Sequence, residues 1–166
     1  MPDRILPRSL LPLFLLLVAA TTYSQSPLTG GLNVSGVGLG AKQQDVIRKL
    51  GKPTRTVTSK KIDECIGSYI RTLDYPGLKL ELDDASGGYT VFSMEITSEN
   101  WDISGAKIGD ATADVQKRFG TRGRRIEKQA GNPFWFYDMP EDNPGGTSFY
   151  FRGGKLVKAV SSFMMC

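Results

Sequence analysis

A thirteen-residue stretch occurs twice in this chain. Residues 39–51 read LGAKQQDVIRKLG and residues 108–120 read IGDATADVQKRFG. Gly40, Asp45, Val46 and Gly51 return as Gly109, Asp114, Val115 and Gly120. Leu39, Arg48, Lys49 and Leu50 return as the similar Ile108, Lys117, Arg118 and Phe119. A duplicated stretch constrains the fold strongly, because a local structure favoured by one copy is favoured by the other.

Each copy carries the marks of a short amphipathic helix. Val46 and Leu50 stand four apart, as do Val115 and Phe119, so each pair shares a face. Gly51 and Gly120 suit the residue that ends a helix, and Pro53 blocks continuation of the first. Asp110 is placed to cap the second helix through its carboxylate. Asp45 and Asp114 read as surface carboxylates.

Strand-like segments follow each copy, at 54–59, 69–75, 78–82 and 89–97, then at 124–128, 134–138, 148–151 and 156–162. Leu78, Leu80 and Leu82 alternate with Lys79, Glu81 and Asp83, and Phe92, Met94 and Ile96 alternate with Ser93 and Glu95. Both are half-buried patterns. Gly153-Gly154 marks a tight hairpin. The expected fold is α+β: two tandem helix-plus-four-stranded antiparallel units, residues 32–104 and 105–166. Together they are expected to form one sheet of about eight strands with helices on one face and the other face open.

Residues 1–26 read as a signal peptide and short leader. Arg4 and Arg8 precede an eleven-residue charge-free run at 10–20, shorter than the ~20 apolar residues a spanning helix needs. No cysteine follows it to accept a lipid. The expectation is an exported protein, periplasmic or secreted and not a lipoprotein, with no transmembrane helix after cleavage. In that oxidising compartment Cys65 and the terminal Cys166 are expected to pair. A bridge closing a loop near 100 residues contributes about 4.7 kcal/mol in the chain-entropy account.

The motif Gly-X-X-X-X-Asp-Val-X-X-X-Leu-Gly-X-Pro at residues 40–53 resembles the repeat of the SmpA/OmlA family of small outer-membrane assembly lipoproteins. A tandem pair of such units, closed by the hairpin at 149–157, resembles the β-lactamase-inhibitor-protein-like fold. These resemblances imply protein binding, either in support of outer-membrane protein insertion or in clasping a hydrolase with an open sheet face.

The chain contains no histidine, which removes Ser-His-Asp and Cys-His mechanisms and the commonest metal ligand. No cofactor or metal is expected. Gly36-Val37-Gly38-Leu39-Gly40 lacks the Lys-Ser/Thr of a phosphate loop. The excess of 21 basic over 17 acidic residues is too mild to point to nucleic acid, which export also disfavours.

Candidate partner-binding residues come from the strands. Phe134-Trp135-Phe136-Tyr137 must send two rings to each side of a sheet. Trp135 and Tyr137 are read as the outward pair, joined on the open face by Tyr150, Arg71 and Lys79. Arg122, Arg124, Arg125 and Lys128, close to Lys117 and Arg118, form a candidate basic patch for an acidic protein or an anionic envelope surface. The functional expectation is an exported non-enzymatic protein-binding module of the cell envelope or secreted fraction. Its alternatives are an inhibitor of an exported hydrolase and a carboxylate-dependent enzyme, for which no pair of acids stands out.

Overall fold

The computed structural model describes residues 28, 31–84, 87–121, 124–129, 132–139 and 145–163. The expected leader 1–26 lies outside them. Along the chain come α1 (Gln43–Leu50), β1 (Arg55–Thr58), β2 (Ile70–Tyr75), β3 (Leu78–Asp83), β4 (Thr90–Ile96), α2 (Thr112–Phe119), β5 (Arg124–Gln129), β6 (Asn132–Asp138), β7 (Gly145–Arg152) and β8 (Lys155–Phe163). The eight strands form a single antiparallel sheet in the order β1-β2-β3-β4-β8-β7-β6-β5.

The expectation of two tandem helix-plus-four-strand units is therefore corrected. The described residues form mostly one eight-stranded antiparallel sheet carrying two short helices. No boundary divides it, because β4 pairs with β8 through Ser93–Ser162, Met94–Ser161, Glu95–Val160 and Ile96–Ala159, and one hydrophobic core runs beneath both halves. Helices of eight residues are also too short to cover such a sheet by themselves. They bury only Val46 from α1, and Val115 and Phe119 from α2. The connecting segments supply the rest of the cover: Leu32, Val34, Val37, Ile103 and Ala106 are all nearly or wholly buried. Val34 and Ile103 pair with each other across the roof.

Helix ends follow local chemistry. Asp45 and Asp114 lie in first turns, with Arg48, Lys49, Lys117 and Arg118 in last turns, which opposes the peptide dipoles favourably. Gly51 and Gly120 end the helices with positive φ. Asp110 does not cap α2. Ala111 occupies that position, and the Asp110 carboxylate instead accepts the Lys107 backbone N–H at 2.8 Å.

Two rows of residues run across the sheet on its helix-bearing side, the first over all eight strands and the second from β2 to β5. One reads Thr56, Leu73, Leu80, Met94, Ser161, Thr147, Tyr137 and Arg124. The other runs from Tyr75 through Leu78, Ile96, Ala159, Phe149 and Trp135 to Ile126. The buried hydroxyls of Thr147 and Ser161 bond each other at 2.9 Å, and Ser161 also accepts the Leu32 N–H. That satisfies polar groups the core would otherwise penalise. The alternation expected of Phe92, Met94 and Ile96 breaks at a bulge. Glu81 faces Ser93 and Leu82 faces Val91, so Val91 takes the core place and Phe92 stands outside the core cluster.

Candidate functional site: the open face of the sheet

Strand parity assigns each side chain to a face. The row Arg55, Asp74, Lys79, Glu95, Val160, Ser148, Phe136, Arg125 crosses all eight strands on the side away from the helices. Beside it run Glu127, Phe134, Tyr150 and Lys158. The β1–β4 part of this face is a charge ladder, and the β5–β8 part is aromatic.

The charged part is internally paired. Lys79 Nζ reaches Glu81 Oε1 at 2.9 Å, and Lys158 Nζ reaches Glu95 Oε2 at 3.7 Å across the β4–β8 junction. The Glu81 hydrogen bond holds Lys79 protonated to higher pH than usual, against a smaller opposing effect of burial. Pairs this exposed add little stability; their effect is to present alternating charge.

In the aromatic part, Phe134 and Tyr150 stack with centroids 5.1 Å apart. Lys158 Nζ lies 4.4 Å from the Tyr150 ring centre, and the Arg125 guanidinium lies 4.7 Å from that of Phe136. Arg125 also pairs with Asp138 at 3.1 Å. The outer ring atoms of Phe136 lie over Gly146, where a Cβ would collide with them. Phe134, Phe136 and Tyr150 are each half-buried, with part of every ring open to solvent.

Tyr150 and Lys79 thus stand on the open face where the sequence places them. Trp135 and Tyr137 do not. They are 5% and 2% exposed and belong to the helix-bearing rows, so Phe134 and Phe136 are the outward pair. Trp135 packs on Phe151 at 4.4 Å, and Tyr137 meets Phe149 edge-on at 5.9 Å. Arg71 is also on the other side. It shares parity with Leu73 and Tyr75, lies 3.6 Å over the Tyr89 ring, and bonds Gln43 Oε1 and Thr58 Oγ1. There it walls a groove of about 480 Å³ beside the start of α1.

The basic patch is divided for the same reason. Arg124 and Lys128 have helix-side parity, Arg124 lying 4.3 Å over Trp135 and bonding Gln116. Arg125 points to the open face, and Arg122 lies outside the described residues. Cys65 is disulfide-bonded; Cys166, its expected partner, lies outside the described residues.

No known family pattern and no curated protein matches the chain. Among solved structures it is similar to an extracellular protein containing a SCP domain from Bacillus anthracis str. Ames. That likeness has 16% identity and a TM-score of 0.47 over 75% of this chain and 43% of that one. It is also similar to a cysteine-rich secretory protein from Staphylococcus aureus, with 15% identity and a TM-score of 0.44 over 75% and 42%. The chain spans less than half the length of either, and likeness at this level assigns it neither activity nor partner. Both neighbours are extracellular or secretory by description, and no helix among the described residues is long and apolar enough to cross a membrane.

Proposed function

We propose that this is an exported, non-enzymatic protein-binding module that holds its partner on the β6–β8 part of the open face. The observation that carries the reading is the cluster of Phe134, Phe136 and Tyr150, three partly exposed rings side by side on rigid strands. Aromatic anchors on a fixed scaffold are the side chains that dominate binding energy at protein interfaces. Arg125 and Lys158 already lie on those rings and pair with carboxylates. The surface is therefore amphipathic rather than strongly charged. The charge-free run at 10–20 behind Arg4 and Arg8 supports export, and the SmpA/OmlA-like motif at residues 40–53 supports binding over catalysis.

Affinity capture from envelope and secreted fractions tests this, comparing the native chain with a Phe134→Ala, Tyr150→Ala variant. The native chain is expected to retain a saturable protein partner that the variant loses. Equal capture by both would place the interface elsewhere. A hydrolase recovered in stoichiometric complex would identify the partner as an enzyme under inhibition.

A further inference from the structure

One core row runs off the edge of the sheet unfinished. From Tyr75 through Leu78, Ile96, Ala159, Phe149 and Trp135, no member is more than 7% exposed. The last member, Ile126 on β5, is 61% exposed. At the opposite edge, β1 ends the neighbouring row on Thr56, a polar residue suited to water. Among the described residues β5 is hydrogen-bonded to β6 alone, and none of them pairs with the other side of its backbone.

We propose that the β5 edge accepts a ninth strand from an acidic segment of another protein, centred on an apolar residue opposite Ile126. Charge selects this occupant. Arg124, Ile126 and Lys128 project on one side of β5 with a cation two residues either way from the isoleucine, while on the other side Arg125, paired with Asp138, and Glu127 offset each other. An incoming strand with the pattern acid, any, apolar, any, acid sets carboxylates opposite Arg124 and Lys128 and continues the Trp135–Ile126 row. Backbone hydrogen bonds supply affinity in this mode, and the alternating side chains supply choice. Charged edges ordinarily guard against pairing, and here the guard acts against a second copy. In a self-pair centred on Ile126, the register that keeps the faces of both copies aligned, Arg124 would face Lys128 on either side of the isoleucine, a repulsive contact. This edge is distinct from the aromatic face, so each can fail without the other.

The probe is a blocked nonapeptide of threonines with a central valine and glutamates two positions either side of it, titrated into the intact chain. Fluorescence anisotropy gives affinity, and amide chemical shifts locate the contact. Saturable binding is expected, with shifts at residues 124–129 and weakening as salt rises. A peptide with lysines for the glutamates is expected not to bind. Lys128→Glu and Ile126→Thr alter exposed side chains and are expected to leave the melting transition unchanged, while each weakens the peptide about fivefold. Four outcomes would overturn the proposal: no saturable binding, equal binding of the two peptides, shifts confined to Phe134 and Tyr150, or self-association of the chain abolished by Lys128→Glu. The last would assign the edge to a second copy.

Discussion

The phenol of Tyr137 donates a hydrogen bond to the backbone carbonyl of Gly120 at 2.9 Å, tying the sheet to the end of α2. Tyr75 makes the same bond to Gly51 at 3.0 Å, behind α1. Each tyrosine sits on the helix-bearing face of its strand, and each glycine ends a helix that buries little of its own surface. These bonds help hold short helices against the sheet. Removing either hydroxyl as Tyr137→Phe or Tyr75→Phe is expected to cost about 1 kcal/mol. The two losses should add, because the bonds share no partner. Urea denaturation of both single variants and the double variant checks this.

Alkaline pH should weaken the fold through the same tyrosines. Burial raises both phenols above their ordinary value of 10.0, with nearby Arg124 partly opposing the effect at Tyr137. As pH climbs past 10.0 the unfolded chain releases these protons first, so stability is intact below that value and declines above it until the folded phenols ionise. Lys79, held protonated by Glu81, loses its contribution in the same direction. Denaturation midpoints measured across this range should fall less steeply for the Tyr75→Phe, Tyr137→Phe double variant, with the Lys79 part remaining.

Adjacent aromatics on β6 should respond very differently to truncation. Trp135→Ala is expected to cost about 3 to 5 kcal/mol, the range for a buried aromatic. Phe134→Ala, next to it on the open face, loses mainly its stack on Tyr150, about 0.5 to 1.5 kcal/mol. Thermal melts of the two variants decide the parity of the strand. Similar losses would contradict it.

The orientation of β6 becomes plain only by comparison with β2 in the structure. Leu73 and Tyr75 both face the core, and matching Tyr75 to Tyr137 by their shared glycine contact gives Trp135 the place of Leu73. Arg71, two residues before Leu73, falls on that side by the same alternation. Four consecutive aromatics carry no parity of their own, which is why Trp135 and Tyr137 read as outward. The strand segments were legible because alternation and turn residues mark them locally. The order β4-β8-β7 was not, because pairing between distant strands depends on contacts that no local pattern records. The bulge that displaces Phe92 was hidden likewise, since one extra residue inverts parity without altering composition.

Gly146 is expected to be intolerant of a side chain for a reason visible only in three dimensions. Phe136 lies directly on it, and a methyl group there would push the ring off the sheet. Gly146→Ala should retain the strand pairing yet displace Phe136, weakening partner capture more than it lowers the melting temperature. A calorimetric melt together with a capture assay separates the two effects.

The direct test of a partner on the aromatic face is site-specific photo-crosslinking in cells that produce the protein. A photoreactive phenylalanine replaces Tyr150 on that face or, separately, Ile47, which is exposed on α1. Position 150 is expected to give a discrete adduct with another protein, competed by excess unlabelled chain, while position 47 gives none. Adducts from position 47 with none from position 150 would contradict the account.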